Sequence, residues 1–119
     1  MSAKLSTEYG DIIIENSVIA ALAGISAMQS YGIVGMASKN AKDGLFELLK
    51  SDYMAKGIRV EVYENSVSID LHVILEYGVR ISVVAQNIID NIKFNVENYT
   101  GLEVGNVNVF VQGVRIDKR

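Results

Sequence analysis

The sequence contains no cysteine. Without thiols, neither a disulfide framework nor a thiolate metal site can form, and nothing points to an oxidising compartment. The first residues, Met1–Thr7, lack the apolar core and cleavage site of a secretory signal. The longest apolar-leaning stretch, Val18–Met28, is far shorter than the roughly 20 residues that cross a bilayer. We therefore expect a cytoplasmic protein without a membrane span, associated with a membrane only through a partner.

Basic residues are also scarce, with 11 Lys and Arg against 14 Asp and Glu and a net charge of −3. Nucleic-acid binders draw much of their affinity from neutralising phosphates, so no nucleic-acid partner is expected. Gly32–Gly35 has the bare spacing of a GxxG loop, but its middle residues are apolar and no Lys or Arg adjoins it. An RNA-binding module is therefore the weakest alternative. A continuous basic stripe would favour it, through Lys39, Lys42, Lys50 and Lys56.

The residues that catalysis needs are few. His72 is the only histidine, and the chain contains neither a GxxxxGK[ST] loop nor a GxGxxG motif. Asp70 and His72 lie two apart in a predicted strand, which could form half of an acid–base site, but a solvated sheet face produces the same pattern. The sequence therefore predicts a non-enzymatic protein with no metal and no cofactor.

A chain of 119 residues, half of them apolar, is typical of one globular domain. We place this domain at residues 8–114, with short flexible tails at 1–7 and 115–119. The predicted order of elements is β-α-β-α-β-β-α-β. This order favours an α+β two-layer sandwich, in which two main helices cover one face of a mixed or antiparallel sheet of about four strands. An extra short helix is expected near residues 43–50.

The clearest local pattern lies between Gly57 and Glu76, where apolar and polar residues alternate on both sides of Glu64-Asn65. A two-residue turn there predicts a β-hairpin, because every inward residue then faces an inward residue. The predicted pairs are Val62 with Val67, Val60 with Ile69, Ile58 with Leu71, Arg59 with Asp70 and Glu61 with Ser68. A strand is expected before the first helix (Tyr9–Ile14), another at Gly32–Met36 and a last one after Leu102.

Two longer segments show helical spacing. In residues 17–30, large apolar residues form one face (Val18, Ile19, Leu22, Ile25, Met28) and small ones another (Ala20, Ala23, Gly24, Ala27). The small face suits either close packing on the chain's own sheet or a helix contact with another subunit. The second helix runs from Ser82 to about Tyr99, with Gly101 just past its end. Its apolar stripe comprises Ile81, Val84, Ala85, Ile88, Ile92, Val96 and Tyr99, and Val83 and Phe94 lie away from this stripe. Asn16 is expected to cap the first helix, and Ser82 is expected to cap the second.

Two surfaces are candidates for binding a partner. The first is the outer, polar face of the sheet, comprising Arg59, Glu61, Asp70, His72, Asn108, Phe110 and Gln112. The second is the apolar segment of the short helix, Leu45, Phe46, Leu48 and Leu49, which has more large apolar residues than one narrow helix face can bury. We expect protein partners, membrane-proximal or kinase-like, and a homo-oligomer. The alternatives are a regulatory subunit that binds a small ligand and, more weakly, the RNA-binding module.

Three blocks of sequence, in order and spacing, resemble the alkaline shock protein family of Gram-positive bacteria, also described as envelope stress response proteins, and in particular its short YloU-like members. The blocks are Gly10–Ile19 with Ala23–Ile25, then Lys56–Val62 through Leu75–Gly78, then Thr100–Val104 with Val107–Val109 and Val111–Val114. The resemblance spans residues 8–114. It implies a non-enzymatic, stress-linked cytoplasmic protein associated with cell-envelope homeostasis, and a dihydroxyacetone-kinase-like enzyme as an associate. It supplies no catalytic residues.

Overall fold

The computed structural model describes residues 2–37, 57–64 and 66–116, and within them the chain forms an α+β fold of two helices and two sheets. The elements are β1 (Ser2–Thr7), β2 (Gly10–Glu15), α1 (Asn16–Met28), β3 (Ile33–Met36), β4 (Ile58–Tyr63), β5 (Ser66–Glu76), α2 (Ile81–Thr100) and β6 (Glu103–Arg115). The α+β class is confirmed. The predicted short helix, with Leu45, Phe46, Leu48 and Leu49, lies outside the described residues.

The central strand of the four-stranded main sheet is β5. Strand β6 runs parallel to it along its whole length on one edge, whereas β4 and β3 share the other edge and are antiparallel to β5. The sheet is therefore mixed. The inward residues of β5 are fully buried beneath α1 and α2, and they form the middle of the core: Val67, Ile69, Leu71, Val73 and Leu75.

The predicted register of the β4–β5 hairpin is confirmed at all five pairs. Tyr63 pairs with Ser66, so two residues form the turn, and Glu64 adopts a positive φ of 52°. Positive φ at the first central residue is shared by the two mirror-image turns, types I′ and II′, which match the right-handed twist of the strands in two-residue hairpins.

Two predictions are wrong for the N-terminal segment: residues 1–7 were expected to be a flexible tail, and the domain was expected to contain a single sheet. Residues 2–7 form β1, which pairs antiparallel with β2 in a separate two-stranded sheet. Ala3 is buried, and Leu5 packs against the main core. At the turn, the Thr7 hydroxyl donates to the Gly10 carbonyl at 2.7 Å and accepts from the Tyr9 N–H. Burial of the alternating apolar residues Ala3 and Leu5 explains why this segment is a strand. At the other terminus, the predicted tail begins too early, because Arg115 still pairs with Glu76 in the main sheet.

Helix α1 packs through its small face. Ala20, Ala23, Gly24 and Ala27 are buried against the chain's own core, so the first of the two alternatives for this face is confirmed. Small side chains let α1 approach α2 closely, and two polar contacts join the helices: the Asn95 and Asn91 side-chain amides donate to the Ser26 and Ser30 hydroxyls, each at 2.9 Å. Of the large apolar face, only Ile19 is fully buried.

Helix α2 buries Val84, Ile88, Ile92 and Val96, as its period predicts. Its C-terminal end was predicted correctly, whereas its N-cap was not. Gly101 terminates it in the left-handed region at φ 79°, as expected. The predicted stripe is too long, because Ile81 and Tyr99 are exposed. The predicted caps are also wrong: Arg80 and Glu15 occupy the N-cap positions without side-chain cap bonds, and the Asn16 amide instead donates to the Val60 carbonyl at 3.3 Å.

Candidate partner-binding face

The outer sheet face is the side of the main sheet that faces away from α1 and α2. It is defined here by Arg59, Glu61 and Tyr63 of β4, Ser68, Asp70 and His72 of β5, and Asn108 and Phe110 of β6. In β5 these residues alternate with the fully buried inward residues and are themselves half-buried. The structure therefore brings the predicted residues of three strands onto one surface.

An aromatic pair lies at the centre of this face. His72 and Phe110 are cross-strand neighbours on β5 and β6, and their rings stack with centroids 4.9 Å apart and planes 17° from parallel. Stacking of two planar rings limits the rotamers of both. Phe110 remains 44% exposed, so the stack still presents an apolar, preorganised surface to solvent.

Polar contacts surround the aromatic pair. The Asn108 side-chain amide donates to the Asp70 carboxylate at 2.8 Å, again across the β5–β6 boundary. On β4, the Arg59 guanidinium lies 3.6 Å from the Glu61 carboxylate, which also accepts from the Tyr63 hydroxyl at 2.9 Å. Arg59 is opposite Asp70 in register as predicted, but the contact that the structure shows is with Glu61 on its own strand.

The pKa of Tyr63 is shifted by its neighbour on the same strand. The hydrogen bond that its hydroxyl donates to Glu61, together with the charge of that carboxylate, raises the pKa of Tyr63 above its ordinary value. Removing the phenolic proton would place two negative charges side by side. The Tyr63 hydroxyl is therefore kept protonated and acts as a hydrogen-bond donor. The residue as a whole is 59% exposed.

Two residues at the far end of the face depart from the simple alternation. Gln112 lies at a β-bulge, where β6 has one more residue than β5 between the pairs Val73–Val111 and Ile74–Gly113, and it is half-buried. Ile74 lies on the outer side by alternation, yet it is only 1% exposed and is flanked in register by Gly35 and Gly113. The open part of the face thus ends near Phe110.

The outer sheet face combines a guanidinium, two carboxylates, an amide and two exposed aromatic rings. Tyr, Phe and Arg are enriched in protein interfaces. The carboxylates of this face disfavour phosphate. Within residues 2–37, 57–64 and 66–116, no cluster of three or more His, Asp or Glu side chains could hold a metal ion.

Two open hollows lie away from this face. One, of about 490 Å³, is lined by residues of β1 and of the α2–β6 junction, among them Lys4, Leu5 and Glu103. The other, of about 280 Å³, lies at the start of α2 beside Tyr31 and Arg80. Neither is lined by a residue of the outer sheet face. A small ligand in either hollow would not contact the residues that the sequence singled out.

A third exposed surface, on α1, was not among the two surfaces that the sequence proposed for binding a partner. On α1 the apolar side chains of Val18, Ile25 and Met28 point to solvent, with Val18 48% and Ile25 50% exposed, and the helix carries no charged residue. The 3.6-residue period identified this stripe, but periodicity alone could not show that the opposite, small face would be the buried one. Neither described helix is both long and apolar enough to cross a membrane.

The fold and the outer sheet face together define a small α+β protein whose main sheet presents an exposed polar and aromatic surface. A family model matches residues 4–116: the alkaline shock protein 23 family, described by a cell envelope-related function. The chain belongs to this family.

Individual relatives agree with this assignment. The chain is 47% identical over 117 residues to the uncharacterised protein YloU of Bacillus subtilis, covering 98% of each chain. It is 41% identical over 117 residues to the uncharacterised protein Spy1614 of Streptococcus pyogenes, covering 98% of this chain and 97% of that one. It is 29% identical over 107 residues to a stress response regulator gls24 homologue of Streptococcus pyogenes, covering 90% of this chain and 57% of that one. No solved structure matches the chain.

Proposed function

We propose that this chain is a non-enzymatic scaffold or adaptor that acts through protein–protein contacts in cell-envelope stress or homeostasis. The outer sheet face carries this proposal, because residues from three strands form one preorganised surface there. The cell-envelope role follows the description of the family, and the link to stress follows the name of the gls24 relatives. The proposed site of action is the cytoplasm, where a membrane-proximal protein partner would hold the chain near the envelope.

The mechanism is recognition by a rigid surface. The His72–Phe110 stack and the Asp70–Asn108 hydrogen bond fix four side chains before a partner arrives. Fixed side chains lose little conformational entropy on binding, which favours affinity. Arg59 and Tyr63 supply donors at the β4 side, and Phe110 supplies an apolar anchor at the β6 side, so a partner is expected to present acceptors and an apolar pocket at matching positions.

The experiment is site-specific photo-cross-linking in a bacterium whose own copy is deleted. A photoreactive phenylalanine analogue replaces Phe110 in one variant and Phe94 in the matched control. Phe94 is also an exposed aromatic, 66% exposed on α2, but it lies outside the outer sheet face. We expect discrete cross-linked proteins from position 110 and not from position 94, with a yield that changes under alkaline or cell-wall stress. Mass spectrometry then identifies the partner.

A functional measurement accompanies the cross-linking. Phe110→Glu is expected to abolish complementation of an envelope-stress growth defect, whereas Phe94→Glu is expected to retain it, because only the first change places a charge in the recognition surface. Equal growth of both variants, or the same cross-linked species from both positions, contradicts the proposal that the outer sheet face docks a partner.

A further inference from the structure

One end of the main sheet collects exposed apolar side chains. Strands β5 and β6 both end there because they are parallel, and β3 begins there because it is antiparallel to β5. Backbone bonds hold these ends together: the Tyr77 N–H donates to the Arg115 carbonyl and the Glu76 N–H to the Gly32 carbonyl, each at 2.7 Å. We call residues 31–33, 76–83 and 114–116 the apolar tip. Its exposed large apolar residues are Tyr31, Tyr77, Ile81, Val83, Val114 and Ile116.

A hollow of about 280 Å³ opens within the apolar tip. Val79, Val83 and Val84 supply its apolar lining, and Tyr31 and Arg80 line it as well. Tyrosine rings are enriched where a membrane meets water, and arginine can lay its apolar stem along hydrocarbon while its charged head stays in the polar layer. The apolar tip therefore combines the residue types that suit a lipid surface.

The charges of the described residues set Arg80 apart. Outside the apolar tip, every Lys or Arg in residues 2–37, 57–64 and 66–116 lies against a carboxylate. These ion pairs are Lys4–Asp11, Arg59–Glu61 and Lys93–Glu97. The Arg80 guanidinium, in contrast, has no ion pair or hydrogen bond within those same ranges. Glu76, which is half-buried, is the only carboxylate of the apolar tip, against Arg80 and Arg115. The apolar tip is therefore positive on a chain whose net charge is −3.

We propose that the apolar tip docks directly on an anionic lipid surface, with Arg80 against lipid phosphates and the exposed apolar side chains in the layer beneath them. Apolar burial and attraction to anionic lipid add in such a contact. The occupant is an anionic membrane because its field attracts the positive tip and repels the rest of this negative chain, so it also orients the molecule. The contact is peripheral, and it would leave the outer sheet face open for a protein partner.

The test uses a single tryptophan as a reporter, since the chain has none. Tyr77→Trp places an indole in the apolar tip, where Tyr77 is 69% exposed, and Tyr99→Trp places one near the other end of α2, where Tyr99 is 75% exposed. Helix α2 is about 30 Å long, so only the first indole would reach the lipid. With phosphatidylglycerol vesicles, we expect the emission of Tyr77→Trp to shift to shorter wavelength and that of Tyr99→Trp to stay unchanged.

Two comparisons test the electrostatic part of this contact. Phosphatidylcholine vesicles are expected to produce a much smaller shift, and added salt to weaken the shift with phosphatidylglycerol. In the Tyr77→Trp background, Arg80→Glu is expected to raise the Kd for phosphatidylglycerol vesicles at least about tenfold. Lys4→Glu is the matched control, because it makes the same charge change at an exposed site on β1, and we expect it to change the Kd less than about twofold.

The apolar part has its own pair of variants. Ile81→Ser, in the apolar tip, is expected to raise the Kd about fivefold, whereas Phe94→Ser, exposed elsewhere on α2, is expected to leave it unchanged. Circular dichroism checks that each variant is folded. A negative charge at the start of a helix is favourable, so Arg80→Glu is not expected to weaken α2.

Three results would overturn the proposal. They are an emission that no vesicle changes, equal weakening by Arg80→Glu and Lys4→Glu, and the same shift in Tyr77→Trp with inorganic phosphate alone, which would indicate a site for a soluble anion. The inference goes beyond the proposed scaffold function and does not depend on it. No substitution here alters an outer sheet face residue, so failure of lipid binding leaves the photo-cross-linking test at Phe110 intact.

Discussion

Replacing Gly32 by alanine is expected to destabilise the protein by about 1–4 kcal/mol. Gly32 has a φ of +89°, and a Cβ placed on it would lie 3.0 Å from Val84 Cγ2 and 3.3 Å from Val79 Cγ1. An alanine in the left-handed region costs about 1–2 kcal/mol, of which about 0.5–1 is offset by the lower entropy of the unfolded chain. Overpacking of a core adds about 1–3 kcal/mol. Val84 is buried in α2 and β-branched, so it has little freedom to move aside.

Gly78 provides the matched control. Its φ is +96°, nearly that of Gly32, but a Cβ there would have no atom within 4 Å. Gly78→Ala therefore carries the backbone strain without the steric clash, and we expect a loss of about 1 kcal/mol. The assay is urea unfolding followed by far-UV circular dichroism, with the free energy of unfolding extrapolated to water.

The difference between the two variants is the quantity that tests the reasoning. If both lose the same free energy, the clash with Val84 is absent and the packing argument is wrong. A double-mutant cycle adds a second check: Val84→Ala in the Gly32→Ala background removes the clashing methyl groups, so its cost is expected to be smaller there than in the parent. Additive effects of the two changes would also contradict the proposed contact.

The remaining predictions concern hydrogen-bonded side chains. The backbone N–H that donates to Glu97 lowers the pKa of this carboxyl, so its stabilising effect is present above the unfolded-state pKa and is lost as the pH falls through the lower folded-state value. Glu97→Gln is therefore expected to destabilise the protein at neutral pH and to match the parent in acid, measured by urea midpoints. Glu61→Gln is expected to lower the pKa of Tyr63 towards its ordinary value, measured by tyrosinate absorbance against a Tyr63→Phe reference. Asn95→Ala removes a donor from the buried Ser26 hydroxyl, and urea unfolding should show a loss of about 1–2 kcal/mol. A parent-like midpoint would show that water or another group satisfies this hydroxyl.

The sequence predicted the β4–β5 hairpin and most of the outer sheet face because both depend on local rules. Alternation with a period of two assigns each residue to a face, and the length of the turn then sets the register. The partners of these residues were harder to predict. The stack of His72 on Phe110 depends on how β6 aligns with β5 after the α2 crossover, and no local pattern fixes that alignment.

The errors concern choices that distant neighbours decide. Helix α1 has two apolar faces, and the small one is buried because α2 lies close enough to exclude larger side chains. Strand β1 was missed for two reasons. Its apolar residues, Ala3 and Leu5, are few, and the turn that leads to its partner strand has only Gly10 as a residue typical of turns. Polar residues near a helix start also misled the cap prediction, since Asn16 bonds to Val60 across the fold rather than to its own helix.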